Sequence, residues 1–400
     1  MAYLDHAATT PIVPAATAAL TKELGELGNP SSLHAAGRRA RRVVEESREV
    51  IAAAFGARPS EVVFTGGGTE ADNLAVKGLY WNRQEQRPRP RILASSVEHH
   101  AVLDPVRWLA DAQGADVVWL DVDEMGRVDP QQVHDEIARD PESVALVTVM
   151  WANNEVGTVQ PIRECVQAAE RFGVPVHADA VQAAGHLDVD FAASGLDALT
   201  ISAHKLGGPL GVGALLLGRS VTLTPLVHGG GQERDVRSGT LDTPSIAGFA
   251  TATAEAIETR PQRTEAVAAL RNELIAGVIS EVPDATLNGD PRLDVAHRLP
   301  GNAHMSFPGC EGDSLLLLLD ARGVHCSTGS ACSAGVAEPS HVLMAMGSTA
   351  AEARSSLRFS LGHTSTRADV DELIAAIGPV VQRARAARST ASSTSAAHQR

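Results

Sequence analysis

Residues 174–209 read VPVHADAVQAAGHLDVDFAASGLDALTISAHKLGGP. Two apolar runs in this stretch, 174–178 and 198–202, each give way to polar residues: Asp179 after the first, Ser202, His204 and Lys205 at and after the second. Asp179 and Lys205 stand 26 residues apart, about one strand-to-strand step in a chain that alternates strands with helices. In open parallel sheets ligands gather beyond the carboxyl ends of the strands, so both residues fall where a site is expected.

Working outward, the same theme fills residues 62–217. Strands are predicted at 62–64, 91–95, 116–120, 144–150, 174–178, 198–202 and 212–217, with helices at 70–80, 101–112 and 162–172 between them. An α/β domain follows, with a mostly parallel sheet flanked by helices. After about residue 260 the pattern changes to a helix at 261–279, strand-like pieces around 303–307, a helix at 312–321 and a Gly/Ser/Cys loop. This predicts a large domain over 15–260 and a smaller α+β domain built from 1–14 and 261–385. The proline-broken stretch 84–91 reads as a surface connection, and 386–400, without apolar periodicity, as a disordered tail.

The bulk numbers narrow the classes. A chain of 400 residues, 44% hydrophobic, supports substantial cores. Its net charge of -14 repels a phosphate backbone, so no direct nucleic-acid partner is expected, and the basic run 38–42 reads as a solvated helix face. The opening MAYLDHAATTP lacks the basic and then apolar order of a secretory signal, and the apolar run 315–319 is far too short for a bilayer. The expectation is a cytoplasmic protein with no membrane contact. Four cysteines make no disulfide framework and suit a reducing compartment.

Six motifs carry chemistry. In SAHKLGGP, 202–209, a lysine directly follows a buried strand, where loss of solvent favours the neutral amine that attacks an aldehyde. In HADAVQ, 177–182, Asp179 is suited to keep a pyridine nitrogen protonated and Gln182 to donate to a phenolic oxygen, although an acid after a strand is often only a helix cap. FTGGGTEADN, 64–73, runs from strand through glycines into a helix, a phosphate cradle at Gly68 and Thr69 without the Lys-Ser/Thr ending of a nucleotide-binding loop. SVEHHAV, 96–102, offers His99 to stack on a ring and shuttle a proton, and WANNEVG, 151–157, offers Asn154 to a phenolic oxygen or a carboxylate. CSTGSACSAG, 326–335, is a small-residue loop with two thiols, of which Cys332 is the candidate nucleophile. Cys326 and His325 nearby raise metal binding as a rival, without ordinary zinc spacing; Cys165 reads as core.

With these motifs in hand, the chain resembles the cysteine desulfurases of the IscS/NifS type, within the fold-type I pyridoxal-phosphate (PLP) enzymes. The likeness also takes in YLDHAATTP (3–11), GNPSSLH (28–34), HGGGQERDVRSGT (228–240) and LRFSLGHT (357–364), nearly the whole chain apart from the tail. It implies PLP on Lys205 as a Schiff base, Asp179 at the pyridine nitrogen, Gln182 and Asn154 at the phenolic oxygen and His99 on the ring face. It also implies a phosphate held by Gly68, Thr69, Ser202 and His204, with Thr240 arriving from the other subunit of a homodimer. Arg358 looks like the clamp on the substrate carboxylate, a task suited to a planar two-pronged donor. Cys332 matches the sulfur-accepting nucleophile: it takes sulfur from L-cysteine, leaves L-alanine, and passes the persulfide to an acceptor such as an iron-sulfur scaffold protein, with Cys332 a transient cluster ligand. Two departures are Ala203, where many relatives have Gly, and Gly207 in place of a more usual aromatic residue; neither removes a functional group. An aminotransferase on the same fold keeps Lys205 and Asp179 but has no need of a thiol in a small-residue loop.

Overall fold

The computed structural model describes residues 1–85, 87–328 and 338–397, with side chains through residue 387. In chain order the elements begin β1 (Ala2–Tyr3), α1 (Pro14–Leu24), α2 (Ala35–Ala54), β2 (Val62–Thr65), α3 (Gly68–Gln84), β3 (Arg91–Ser95), α4 (His100–Gln113) and β4 (Asp116–Leu120). There follow α5 (Pro130–Arg139), β5 (Val144–Thr148), α6 (Ile162–Glu170), β6 (Val176–Asp179), α7 (Phe191–Ser194), β7 (Ala198–Ser202) and β8 (Gly213–Leu217). The last part holds α8 (Thr243–Glu281), β9 (Thr286–Leu287), β10 (Asn302–Ser306), α9 (Gly312–Asp320), β11 (Val324–His325), α10 (His341–Ala345), α11 (Ala350–Ala353), β12 (Ser356–Ser360) and α12 (Arg367–Ala397).

Strands β5, β6, β7 and β8 are buried along their whole length, which is why they read in sequence as near-continuous apolar runs. They lie in a seven-stranded sheet of order β2-β8-β7-β6-β5-β3-β4. Neighbours from β7 across to β4 are parallel, and β8 runs antiparallel to both β7 and β2. Chain order reverses direction at β3, which sits between β4 and β5, and this leaves a crevice at the carboxyl ends of β3 and β5. One core cluster, with Phe64, Val147 and Leu199, and another, with Leu74, Ile92 and Leu215, contain the sheet's alternating side chains.

A separate apolar cluster joins Ala2 and Leu4 to residues between Val267 and Ala384, around an antiparallel sheet of order β12-β10-β9 and the short parallel pair β1-β11. Helix α8 links the two cores: Ile246, Phe249 and Ala256 pack with the large sheet, Val267, Leu274 and Val278 with the small one. The helix predicted to start at Pro261 therefore starts at Thr243 and runs through the proline. Proline removes one amide from the ladder, and near it the Arg263 guanidinium donates to Ala256 O at 3.0 Å and Gly185 O at 2.5 Å, tying this stretch of the helix to the large core.

Helix α12 continues to Ala397, through a stretch where the sequence leads one to expect no regular structure from residue 386. Those residues are largely alanine, serine and threonine, and alanine sustains a helix without an apolar face to bury. Among the described residues no helix is long and apolar enough to cross a membrane.

A close backbone approach lies where β8 passes the start of α3. A Cβ on Gly213 meets Gly67 C and Ile201 O at 2.8 Å, both backbone atoms with no room to yield. Gly213→Ala is expected to cost about 1–3 kcal/mol of stability, measured by urea denaturation, as overpacked cores do. An unchanged midpoint would mean that the strand and the loop are not in contact.

Candidate active site

Beyond β3, β5, β6 and β7 the chain encloses a cleft of about 560 Å³. Gly68, Thr69, His99, Asn154, Asp179, Gln182, Ser202, His204, Lys205 and Arg358 all line it, brought together from six separate motifs. Thr240 is exposed on the surface and does not line the cleft. Cys332 lies outside the described residues.

Lys205 is delivered by β7 and a single helical turn, Ala203–Lys205, that Gly207 reverses with φ of 82°. A Cβ there meets Val13 Cγ1 at 2.9 Å, so glycine is what lets the N-terminal segment lie across the turn. That segment is bonded down by Val13 N to Gly207 O at 2.8 Å and Thr10 N to His204 O at 3.3 Å. The Lys205 Nζ in turn donates to Ala7 O at 2.5 Å and Ala8 O at 2.6 Å. Burial lowers this amine to about 8, helped by the Arg358 charge and opposed by Asp5 and Asp179.

Asp179 ends β6 nearly enclosed, with Oδ1 accepting from Val181 N at 2.8 Å. Burial lifts its carboxyl to about 6, against the pull of that amide and of Lys205. A cation set against it brings it back down, so the position favours a protonated ring nitrogen. Behind it His177 is held neutral by burial, at about 3, with Nδ1 at 2.9 Å from Thr148 Oγ1 and Nε2 at 3.0 Å from Thr200 Oγ1. Asp72 and Glu98 are buried near the same carboxyl, and both are pushed upward, first by burial and then by the Asp179 charge.

The anion end of the cleft is the start of α3. Gly67 has φ of 139° and supplies no side-chain cap, which leaves first-turn amides for an outside acceptor. A Cβ on Gly68 meets Val181 Cγ2 at 3.0 Å and Ser202 Cβ at 3.5 Å, so a larger residue closes this cradle. Ser202 and His204 border it from β7 and the turn that follows.

His99 caps α4, its Nδ1 accepting from Ala101 N at 3.1 Å. The ring's hydrogen then belongs on Nε2, and burial followed by the Lys205 charge keeps the ring neutral, at about 4. Asn154 stands on a turn tied by its neighbour: Asn153 Oδ1 accepts from Glu155 N at 2.9 Å and Val156 N at 2.8 Å, and Asn153 Nδ2 donates to Val97 O at 3.0 Å. Gln182 Nε2 donates to Ala7 O at 2.9 Å, the same carbonyl that holds Lys205.

Arg358, buried on β12, donates from Nη1 to Asn154 O at 3.0 Å and from Nη2 to Asp5 Oδ1 at 2.8 Å, while its buried Nε has no partner among the described residues. An unsatisfied guanidinium hydrogen in a cleft is a site for a carboxylate. Sequence reasoning missed Asp5, Ala7 and Ala8 as parts of the site; YLDHAATTP was noticed only through the resemblance, and nothing local in it announces contact with a lysine 197 or 198 residues away. Cys326 also lines the cleft, but burial pushes its thiol up to about 12, so it stays protonated near neutrality. Cys165 is core, as its helix pattern suggests.

Fold and site together define a fold-type I PLP enzyme. The chain belongs to the class-V aminotransferase family, whose model matches residues 2–373. It is 56% identical to the IscS-like cysteine desulfurase of Mycobacterium tuberculosis over 99% of this chain and 100% of that protein. With the cysteine desulfurase IscS of Methanosarcina thermophila it shares 40% identity over 96% of this chain and 92% of the relative. A solved NifS-like protein superposes with a TM-score of 0.87 at 32% identity, covering 96% of this chain and all of the other.

The donor set fits the family's coenzyme. An uncapped helix start suits its phosphate, a depressed lysine its aldehyde and a buried carboxyl its ring nitrogen. Lys205 of the coenzyme-free protein is expected to react with formaldehyde and cyanoborohydride with a midpoint near about 8, against about 10.4 for an ordinary lysine. Because the unfolded chain keeps this proton up to about 10.4, folding releases it across that window and the group's contribution to stability rises with pH there. Peptide mass spectrometry across pH reads the midpoint; a value near 10 contradicts the burial argument.

Proposed function

We propose that this chain is a PLP-dependent cysteine desulfurase that moves the sulfur of L-cysteine to Cys332 and releases L-alanine. The observation that carries the reading over an aminotransferase is the attachment of the Cys332 segment. Ser327 pairs through its backbone with Arg358, N to O at 3.2 Å and O to N at 2.7 Å, and Cys332 follows five residues later in the sequence. After it, Ser340 Oγ donates to Glu155 Oε2 at 2.5 Å and His341 Nε2 to Glu98 O at 2.9 Å. The thiol-bearing stretch thus leaves from and returns to residues around the cleft.

Bound PLP supplies an electron sink for bonds at the substrate's α-carbon. Arg358 binds the α-carboxylate, its Nε being a buried donor with no partner among the described residues. Lys205 would hold the coenzyme's aldehyde, and as a free amine its depressed pKa makes it a neutral base for the substrate's α-proton. With the coenzyme bound, Asp179 would keep the ring nitrogen charged, Gln182 and Asn154 would serve the phenolic oxygen, and His99 would offer the ring a proton donor at Nε2. Gly68, Thr69, Ser202 and His204 hold the phosphate, and Thr240, exposed on this chain, completes the cradle of a second copy in a homodimer. The Cys332 thiolate attacks the substrate sulfur: a sulfur-sulfur bond forms, the carbon-sulfur bond breaks, and the carbon takes up a proton to become the methyl of alanine. Cys326 does not compete, being protonated.

We read residues 15–260 as the coenzyme-binding domain and 1–14 with 261–385 as the smaller one, supported by their separate apolar clusters. The enzyme is assigned to the cytoplasm. The persulfide goes on to sulfur acceptors such as an iron-sulfur scaffold protein, with Cys332 a transient ligand to the cluster under assembly.

Incubation of the PLP-loaded protein with sulfur-labelled L-cysteine, followed by peptide mass spectrometry, is expected to find the label on Cys332 and alanine in solution. Cys332→Ser abolishes the label and the alanine. Pyruvate as product, or unchanged sulfur release by the variant, favours another reaction on the same fold.

A further inference from the structure

Among the described residues, three that are not glycine have left-handed backbone conformations, and they are consecutive: Glu233, Arg234 and Asp235, with φ of 48°, 59° and 63°. Such conformations cost energy for residues with a Cβ and persist where the surroundings over-determine them. Here the restraint is visible. The buried Glu233 carboxylate accepts from Arg48 Nη1 at 2.8 Å and Arg48 Nη2 at 2.7 Å, and also from Phe64 N at 2.7 Å, in the middle of β2. Arg48 also donates to Val62 O at 2.8 Å and lies over the Phe64 ring at 4.7 Å.

Strand β2 leads straight into the glycines of the phosphate cradle, and a second pair fastens the same loop to that cradle. Arg237 donates from Nε to Glu70 Oε1 at 2.6 Å and from Nη2 to Glu70 Oε2 at 3.1 Å, while Glu70 Oε2 accepts from Gly66 N at 2.7 Å. Within the loop, Gln232 Oε1 accepts from Gly239 N at 2.9 Å. One loop, 228–240, is therefore latched at two points, to β2 through Glu233 and to the start of the cradle through Arg237, and ends at the exposed Thr240.

We infer that Glu233 is a positioning residue for coenzyme binding: gripped by Arg48, it holds the left-handed turn against β2 and, with the Arg237–Glu70 pair, makes loop 228–240 and the phosphate cradle one rigid body. Glu233 does not line the cleft and touches no reacting atom. Its effect reaches the coenzyme through the placement of the cradle's amides and, resting on the homodimer proposed above, of Thr240 toward the second copy. Because the coupling runs through phosphate alone, it distinguishes PLP from pyridoxal, which has the same ring and aldehyde.

The test titrates full-length coenzyme-free protein with PLP and separately with pyridoxal, following the absorbance of each complex. Glu233→Gln is expected to weaken PLP about tenfold, a size ordinary for coupling between sites, while pyridoxal affinity stays within twofold of the parent (about 0.4 kcal/mol). Arg237→Gln, which breaks the second latch through a side chain near the surface, gives the same pattern and serves where Glu233→Gln folds poorly. Equal weakening of both ligands, or no weakening, overturns the inference. A parent protein that binds neither ligand instead contradicts the coenzyme assignment itself.

Discussion

A primary amine at the end of a buried strand, roofed by two backbone carbonyls, sets the terms for everything around it. Lys205 has little solvent to stabilise its charge, so the molecule must either supply partners or let the proton go, and it does some of each. Ala7 O, Ala8 O and the Asp5 and Asp179 charges hold the proton, while burial and Arg358 push it off. The balance falls at about 8, where a lysine is ready to be nucleophile and base by turns.

That balance requires elements far apart in the chain. The N-terminal segment can lie over Lys205 only because Gly207 has no side chain, and it stays because Ser360 N on β12 donates to Leu4 O at 2.7 Å. The same strand brings in Arg358, which meets Asp5 across 353 residues of sequence. Large sheet, small sheet and chain start thus each contribute one side of a single cleft. The buried acids Asp72 and Glu98 fit the same economy: pushed toward neutrality by burial and by Asp179, they leave Asp179 as the carboxylate to meet a ring cation.

What the sequence disclosed follows from which signals are local. Strands 91–95, 116–120 and 198–202 appear with the bounds expected, because parallel strands, central like 91–95 and 198–202 or at the edge like 116–120, read as short apolar runs stopped by polar or glycine residues. Nine of the ten singled-out residues that line the cleft stand at or just past such a run or at the helix start that follows it, while Arg358, in the middle of β12, is picked out only through the resemblance. Helix α8 was legible only in its second half, since Pro261 looks like a beginning and the packing that carries the helix through it is tertiary. The Arg48–Glu233 pair, 185 residues apart, and the Asp5–Arg358 pair have no signature in any window of sequence. The pairing of Ser327 with Arg358 is equally silent, yet it ties the cysteine-bearing stretch to the substrate end of the cleft.

The central claim is that one amine, and no other, captures the coenzyme's aldehyde. Reconstitution of the purified chain with PLP, reduction with borohydride and peptide mapping examine it directly. The account requires a visible absorption band and a reduced pyridoxyl group on Lys205, both lost in Lys205→Ala. A protein that stays colourless, or that carries the group on a different lysine, contradicts it.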